Sequence, residues 1–284
     1  MKLLEGKPIA DNIMKRLERE IQEHHLRPGL GVILVGDDAA SHLYVTLKER
    51  AAERIGIRVE KKLFLENAPQ AEIEQAIDTF NADQSLHGIL VQVPLPAHLD
   101  TDAIINRMNL DKDVDGFHPE NEQRFLAGKQ SSFPVFPHAI LELIYASGES
   151  LAGKTAVVIG NSWRFGDMMC QVLSREGVQA KHIPCIECTS EQGLFELKSA
   201  DIVISACGKE RTIVGAMLKP GVIVIDGGIV KEGARVVGDV DRMSVEEGEG
   251  FLSPVPGGVG PVTIACLLSN VVEAAQRQKQ KQAA

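Results

Sequence analysis

The segment that decides the fold is Val157-Val158-Ile159-Gly160-Asn161-Ser162-Trp163-Arg164-Phe165-Gly166. A short apolar run leads into a glycine turn, and the apolar residues Met169, Val172 and Leu173 then recur at helical spacing. Gly177 stands where a glycine commonly ends a helix. This order is typical of a βαβ unit, so the sequence predicts a parallel α/β sheet around this segment.

Other apolar runs extend the same pattern in both directions. They predict strands at 29–35, 88–93, 155–159, 180–183, 201–207 and 222–226. Ile73, Ala76, Ile77 and Phe80 mark the apolar face of a helix between the first two strands. Because the pattern breaks at the proline-rich stretch 133–137, we expect two α/β domains with a cleft between them. The second is predicted to be a Rossmann-type, doubly wound parallel sheet.

Composition excludes several classes of protein. The 284 residues are enough for about two domains, and 44% of them are hydrophobic, which is enough for a core in each. The net charge of −9 gives no global field that would hold nucleic acid or an anionic membrane. The start lacks the apolar core of a secretory signal, and no uninterrupted apolar run is as long as a membrane span. We therefore expect a cytoplasmic protein with no nucleic-acid or membrane partner.

The five cysteines do not suggest a metal centre. Most lie in or beside apolar segments, as reduced core cysteines usually do. Cys185 and Cys188 form a Cys-x-x-Cys pair, but a structural zinc needs four ligands and no second pair exists. A redox motif should begin a helix, whereas this pair follows a strand-like run. We therefore expect reduced cysteines with neither a metal nor a redox function.

The glycine turn after 155–159 is a candidate dinucleotide site. Gly160, Ser162 and Gly166 have the spacing Gly-x-Ser-x-x-x-Gly, and backbone N–H groups at the start of a helix favour a pyrophosphate. The spacing is not the full dinucleotide fingerprint, so an ordinary βα turn stays open. The loops that follow later strands, with Gly208 and Ile229, lie where an open sheet binds ligands.

The first domain carries a candidate chemical site. Tyr44 and Lys48 are four residues apart, so they share a helix face, where an aromatic ring beside an amine suits a flat, conjugated substrate. A lysine lying over a half-buried tyrosine would look the same. Short-chain dehydrogenases also use Tyr-x-x-x-Lys, but their glycine turn precedes the pair, whereas here the turn follows it.

Three further segments carry a resemblance to a known family. They are the proline- and glycine-rich loop 253–263, the stretch 87–96 with Gln92-Val93-Pro94-Leu95-Pro96, and the stretch 111–119 with Asp115 before a glycine. Together with Ser41-His42-Leu43-Tyr44-Val45-Thr46-Leu47-Lys48, they closely resemble the bifunctional methylenetetrahydrofolate dehydrogenase/cyclohydrolase family, nearly from end to end. The resemblance implies a folate-binding catalytic domain at 1–136 and an NAD(P)-binding domain at 137–262. A last helix, 263–284, would pack back on the first domain.

The resemblance also implies roles in the first domain. Tyr44 would stack on the substrate and Lys48 would transfer protons, held by the amide of Gln92. Asp115 would accept two parallel hydrogen bonds from the pterin ring. Four residues of the proline- and glycine-rich loop would close over that ring: Pro256, Gly257, Gly258 and Val259.

The implied cofactor site departs from the family pattern. Its residues would be Gly160, Asn161, Ser162, Arg164, Gly166, Glu187, Gly208 and Ile229. The family default is NADP, but Asn161 replaces a common arginine, and Glu187 aligns where an acid would bond a free ribose 2′-OH and repel a 2′-phosphate. We therefore expect the chain to use NAD, or to bind both dinucleotides weakly. The exception would be that the positive charge of Arg164 offsets the negative charge of Glu187. Phe136 also replaces a small polar side chain in the crossing segment 134–137.

The function implied is oxidation of 5,10-methylenetetrahydrofolate to the methenyl form with NAD or NADP, followed by hydrolysis to 10-formyltetrahydrofolate. The partners expected are tetrahydrofolate one-carbon derivatives and a second copy of the chain in a homodimer. Two alternatives stay open. One is a cyclohydrolase that has lost the oxidation step, and the other is a non-catalytic folate-binding protein.

Overall fold

The computed structural model describes residues 1–129, 132–233 and 235–283. The chain forms two compact units. The six-stranded unit comprises Met1–Ala10 and Phe136–Thr263, and the three-stranded unit comprises Asp11–Val135 and Ile264–Ala284. Both units alternate strands with helices, which confirms the predicted α/β class.

The strands of the described residues are β1 (Lys2–Leu3), β2 (Gly29–Val35), β3 (Arg58–Phe64), β4 (Gly88–Val91), β5 (Thr155–Gly160), β6 (Gln179–Ile183), β7 (Ile202–Ala206), β8 (Val222–Asp226), β9 (Val230–Glu232), β10 (Arg235–Val237) and β11 (Gly250–Leu252). The α-helices are α1 (Gly6–Glu23), α2 (Ala39–Arg54), α3 (Gln70–Ala82), α4 (Thr101–Asn106), α5 (Pro119–Leu126), α6 (Val135–Tyr145), α7 (Trp163–Arg175), α8 (Glu191–Ser199), α9 (Arg242–Glu246) and α10 (Val259–Ala283). Short 3-10 helices lie at Leu110–Lys112, Cys185–Thr189 and Gly215–Met217.

The three-stranded unit is built on a parallel sheet in the order β3-β2-β4. Every residue of the central strand β2 is buried, as expected for a parallel strand covered on both faces. The helix face predicted between β2 and β4 is confirmed, because Ile73, Ala76, Ile77 and Phe80 of α3 are all buried. Their side chains form one core cluster with residues of β2 and β4.

The six-stranded unit has the strand order β1-β11-β8-β7-β5-β6, and all its neighbouring strands are parallel. Strands β5, β7 and β8 are almost wholly buried, and helix α7 covers β5 and β6 through the predicted apolar stripe of Met169, Val172 and Leu173. The parallel sheet confirms the predicted Rossmann-type unit. Strands β9 and β10 form a separate antiparallel hairpin.

The structure differs from several of the sequence-based boundaries. Residues 1–10 belong to the six-stranded unit, because β1 pairs with β11, whereas the sequence placed them in a first domain of 1–136. Strand β4 ends at Val91, two residues before the predicted end. The backbone N–H of Gln92 still donates to the carbonyl of Ile33, but Pro94 has no N–H to donate, so the ladder cannot continue.

Helix α10 passes into the three-stranded unit from Ile264 onward. There the amide of Asn270 donates to the carbonyls of Val114 and Phe133, each at 2.8 Å. Over Val259–Lys281 this helix is long and apolar enough, by composition, to cross a membrane, although polar residues interrupt it. Because 67% of its most apolar window is buried within the protein, it has the character of a core helix.

Candidate active site

Helix α2 places two of the predicted residues one turn apart at the carboxyl end of β2. The carboxylate of Asp38 caps this helix by accepting hydrogen bonds from the N–H and the hydroxyl of Ser41, at 2.8 and 2.9 Å. Tyr44 and Lys48 follow on the helix, and both side chains are half-buried. The cap fixes the start of the helix and hence the direction in which these side chains leave it.

Lys48 forms the hydrogen bond that the sequence predicted. Its Nζ donates to Oε1 of Gln92 at 3.0 Å, and Nε2 of Gln92 donates to the carbonyl of Val93 at 2.7 Å. This second bond fixes which way the amide faces, so an oxygen is presented to the lysine. Burial lowers the pKa of Lys48, and the charge of Asp115 opposes that shift.

Asp115 lies on a loop that a second, fully buried carboxylate organises. Asp113 accepts from the backbone N–H groups of Gly116 and His118 at 3.0 Å and of Phe117 at 3.3 Å. The side chain of Asn121 also donates to Asp113, at 3.0 Å. The carboxylate of Asp113 therefore fixes the loop that carries Asp115.

The pKa of Asp115 is raised to about 6. Burial is the main cause; the Lys48 ammonium lowers the pKa, and the Asp113 carboxylate raises it further. Lys48, Gln92 and Asp115 therefore form one electrostatic group within the three-stranded unit. It combines an amine that loses its proton more easily than usual with a carboxyl group that keeps its proton to higher pH than usual.

In the six-stranded unit, the glycine turn joins β5 to α7. Ser162 caps α7, its hydroxyl accepting from the N–H of Phe165 at 3.2 Å, and residues 161–164 are exposed at the start of the helix. Oδ1 of Asn161 accepts from the N–H of Cys185 at 3.3 Å, which ties the turn to the segment after β6. An exposed start of a buried helix is a suitable place for a pyrophosphate.

A histidine and a tryptophan lie against this turn. Nε2 of His182 bonds to the carbonyl of Gly160 at 2.9 Å, and its ring meets the exposed ring of Trp163 edge-on, with centroids 4.8 Å apart. A Cβ at Gly166 would overlap the His182 ring, so glycine is required there. The role of His182 was not predicted from the sequence. The signal that could have identified it is its position on strand β6, next to a glycine of helix α7.

The other predicted cofactor residues lie after the carboxyl ends of neighbouring strands. Glu187 is exposed on the 3-10 helix after β6, and Gly208 is exposed after β7 with a φ of +65°. A Cβ at Gly208 would meet no described atom within 4 Å, so open space lies beside that backbone. Ile229 follows β8 and is 53% exposed. Phe136, the departure noted in the sequence, packs against Phe165 with ring centroids 5.1 Å apart.

Two buried carboxylates hold these loops in place by accepting hydrogen bonds from their backbone. No role was predicted for either carboxylate from the sequence. Asp239 accepts from the Ser205 hydroxyl at 2.7 Å and from the N–H groups of Cys207 and Lys209 at 2.6 and 2.9 Å. Asp226 in turn accepts from the N–H groups of Gly228 and Asp239, both at 3.0 Å. Burial raises the pKa of Asp226 to about 6, while its backbone hydrogen bonds lower it.

The proline- and glycine-rich loop has a fixed backbone path. The N–H of Gly258 donates to Pro254 at 2.7 Å, and the N–H of Gly6 donates to Gly257 at 2.8 Å. Gly257 has a φ of +104°, which favours glycine, and the peptide bond before Pro256 is cis. Pro256 and Gly257 are exposed, so the loop presents a preformed surface.

The cysteines correct one expectation. Cys185 and Cys207 form a disulfide, so these two are not reduced thiols in this structure. Cys188, the other member of the Cys-x-x-Cys pair, is buried and free. Sequence spacing could not identify the pair because the two cysteines follow different strands, 22 residues apart.

Comparison with known proteins gives a consistent result over both units. Residues 4–115 match the family description "Tetrahydrofolate dehydrogenase/cyclohydrolase, catalytic domain", and residues 134–279 match the NAD(P)-binding domain of the same family. The bifunctional protein FolD of an Exiguobacterium species is 42% identical over 97% of this chain and 99% of its own length.

Solved structures are similar over nearly the whole chain. The FolD methylenetetrahydrofolate dehydrogenase/cyclohydrolase of Campylobacter jejuni has a TM-score of 0.91 and 38% identity, covering 98% of this chain and 99% of that one. The Trypanosoma brucei enzyme, solved with NADP cofactor and inhibitor, has a TM-score of 0.90 and 30% identity, covering 96% of each chain.

Proposed function

This chain belongs to the tetrahydrofolate dehydrogenase/cyclohydrolase family, and from that premise we propose which residues carry each of its reactions. It oxidises 5,10-methylenetetrahydrofolate to 5,10-methenyltetrahydrofolate with NAD(P), and it hydrolyses the product to 10-formyltetrahydrofolate. Loss of the oxidation step and a non-catalytic binding role, the two alternatives, are not favoured.

Lys48 is the proton carrier of the hydrolysis. The observation that supports this role most directly is that its buried amine, whose pKa is lowered, bonds to the uncharged oxygen of Gln92. A neutral amine can take a proton from the water that attacks the methenyl carbon. The resulting ammonium can return a proton to N5 as the bond from the carbon to N5 breaks, and the second proton of the water leaves as the formyl carbonyl forms.

Gln92 and Asp115 serve this step by holding groups in place. Gln92 fixes Lys48 without adding a charge that would keep it protonated. Asp115 in its ionised form accepts from N3–H and the 2-amino group of the pterin, a bidentate pair that orients the ring. Tyr44 supplies an aromatic face one turn from Lys48 for stacking. The exposed loop residues Pro256 and Gly257, together with Gly258 and Val259, contribute further substrate contacts.

The six-stranded unit binds the dinucleotide, which accepts a hydride when bound. Gly160, Ser162 and Gly166 form the turn that takes the pyrophosphate at the start of α7. Gly208 and Ile229 would contact the nicotinamide half, and Asn161, Arg164 and Glu187, which are exposed, would contact the adenine ribose half. The fit is supported by the exposed helix start and by the open space beside Gly208.

NAD is the preferred dinucleotide in this proposal. Glu187 is exposed after β6, where an acid accepts a hydrogen bond from a free ribose 2′-OH and repels a 2′-phosphate. Asn161 brings no positive charge, and its side-chain oxygen accepts the N–H of Cys185. NADP, which the Trypanosoma brucei relative binds in its solved structure, is the alternative.

The enzyme is further proposed to be a cytoplasmic homodimer. Membership of the family is the basis of this proposal. Sedimentation of the purified chain over a range of concentrations tests this proposal, and a monomer at every concentration contradicts it.

A spectrophotometric assay tests the central assignment. Reduction of NAD and NADP is followed in parallel with 5,10-methylenetetrahydrofolate, and hydrolysis is followed separately as loss of the methenyl chromophore. We expect both activities, with a higher kcat/KM for NAD. Hydrolysis at the unmodified rate in Lys48→Met would overturn the role of Lys48.

A further inference from the structure

The disulfide between Cys185 and Cys207 lies at the nucleotide-binding edge of the six-stranded sheet. Cys185 follows β6 and Cys207 follows β7, and these strands flank β5 on its two sides. The bond therefore joins the two segments that leave the sheet on either side of the glycine turn. Their Cα atoms are 5.8 Å apart.

Each cysteine is directly connected to residues of the proposed dinucleotide site. The N–H of Cys185 donates to Oδ1 of Asn161, and Glu187 lies two residues farther along the same 3-10 helix. The N–H of Cys207 donates to Asp239, and Gly208 is the next residue. The disulfide thus links the segment proposed to select the ribose to the segment proposed to contact the nicotinamide side.

Cys185 and Cys207 take no part in hydride transfer or in hydrolysis. Their surroundings also differ from those of Cys188, the third cysteine nearby. Cys207 is half-buried, so a small thiol can approach the bond from that side. Cys188 is fully buried, and burial raises the pKa of its thiol, which keeps it protonated and a poor competitor for exchange. The Cys-x-x-Cys spacing therefore does not predict the pairing.

We propose that Cys185 and Cys207 form a reversible disulfide, a covalent modification site whose redox state sets the affinity for the dinucleotide. A dithiol reductant supplies the two electrons. One of its thiolates attacks a cysteine sulfur and the other cysteine leaves as a thiolate. The second thiol of the reductant then attacks its own sulfur in the mixed disulfide and expels the first cysteine, so the products are two protein thiols and the oxidised dithiol. Reduction frees the segments after β6 and β7 to move independently.

The expected consequence falls on one reaction only. Ordering the released segments costs free energy when the dinucleotide binds, so its KM should rise about threefold to tenfold in the reduced enzyme. Hydrolysis of methenyltetrahydrofolate should not change, because Lys48, Gln92 and Asp115 lie in the three-stranded unit. The inference rests on the proposed function here, because a rise of KM on reduction follows only from the proposed dinucleotide contacts.

The test compares the full chain after air oxidation and after incubation with dithiothreitol. Free thiols are alkylated in denaturant and located by peptide mass spectrometry, and the dinucleotide KM and the hydrolysis rate are measured on the same samples. We expect peptides linked through Cys185 and Cys207 in the oxidised sample alone. The KM for the dinucleotide should be lower in that sample than in the reduced one. Cys185→Ser should show the higher KM in both states, and Cys188→Ser, on the same 3-10 helix, should behave like the unmodified chain.

Two results would overturn the inference. One is alkylation of Cys185 and Cys207 in the oxidised sample, and the other is an equal KM in the two redox states although the peptide pair is present. Mass spectrometry detects the bond without reference to the dinucleotide. A missing disulfide is therefore distinguishable from a failure of the proposed cofactor site, which the dehydrogenase assay reports separately.

Discussion

Nζ of Lys48 donates a hydrogen bond of 3.0 Å to Oε1 of Gln92, an oxygen that carries no charge. The partner decides the chemistry, because a carboxylate in the same place would hold the lysine as an ammonium ion. Here burial dominates and the pKa of Lys48 is lowered. The amine is therefore held in place while losing its proton more easily than an exposed lysine does.

Replacing Lys48 by methionine should abolish hydrolysis while leaving folate binding largely intact. Methionine keeps a similar apolar stem but cannot carry a proton, so we expect the rate to fall by about 10²-fold or more. Stopped-flow loss of the methenyl chromophore measures the rate, and calorimetry with a folate ligand measures binding. Hydrolysis near the unmodified rate would contradict the assignment.

Replacing Gln92 by glutamate should move the pH dependence of hydrolysis. A carboxylate beside Nζ favours the ammonium form and should raise the pKa of Lys48. The rising limb of the pH–rate profile should therefore shift to higher pH. Gln92→Met is the matched control, since it removes the hydrogen bond without adding charge and should lower the rate without an alkaline shift. The same profile in all three proteins would show that Gln92 does not act through Lys48.

Much of the fold could be predicted because it follows from local patterns. The apolar face of α3 and the strand β8 were located from periodicity and apolar runs alone, since burial on one or both faces dictates those patterns. The pairing of β1 with β11 could not be predicted. It joins Lys2–Leu3 to a strand about 250 residues away, and a two-residue strand has no periodicity to detect.

The residues of the site likewise fall into those that local sequence patterns predict and those that they do not. Tyr44 and Lys48 are close in the sequence, so helical spacing alone predicts that they share one face of a helix. Asp113, Asp239 and the disulfide act between segments that are distant in the chain or on irregular loops. A buried carboxylate that collects backbone N–H groups looks, in sequence, like any turn aspartate, because its partners are main-chain atoms.

The pKa of Asp115 predicts how folate binding depends on pH. This pKa is raised to about 6, so the carboxyl is mostly protonated below pH 6 and ionised above it. In the proposed role the ionised form accepts from both pterin donors, so affinity should improve as pH rises through 6. Below that value it should weaken about tenfold per pH unit. Asp115→Asn should bind more weakly and show no such inflection.

Calorimetric titration between pH 5 and 8 checks this prediction. The asparagine variant also serves as the control for titration of the ligand itself. An inflection near pH 6 that persists in the variant would assign it to another group.

Replacing Asp239 by asparagine should weaken dinucleotide binding and spare hydrolysis. The amide has one acceptor oxygen where the carboxylate has two, so at least one of the N–H groups of Cys207 and Lys209 loses its partner. We expect a stability loss of about 1–3 kcal/mol and a higher KM for the dinucleotide. Urea unfolding and the two activity assays measure these effects.

The control is Asp241→Asn, two residues away, because the side chain of Asp241 makes no capping hydrogen bond to α9. It should change neither stability nor KM appreciably. An unchanged dinucleotide KM in Asp239→Asn, despite lower stability, would reduce Asp239 to a purely structural residue.

The last prediction concerns dinucleotide choice, and the structure shows which variant tests it most directly. Glu187 is exposed on its 3-10 helix, whereas the Asn161 side chain bonds to the backbone of Cys185, so changing Asn161 disturbs more than charge. Glu187→Ser alone should lower the ratio of kcat/KM for NAD to that for NADP, since it removes a repulsion from the 2′-phosphate and an acceptor for the 2′-OH. Adding Asn161→Arg should shift the ratio further toward NADP, because arginine offers a bidentate donor to phosphate. Glu191→Ser, on the neighbouring helix α8, is the matched control for loss of one acid and should leave the ratio unchanged. A strong preference for NADP in the unmodified enzyme would contradict the role of Glu187.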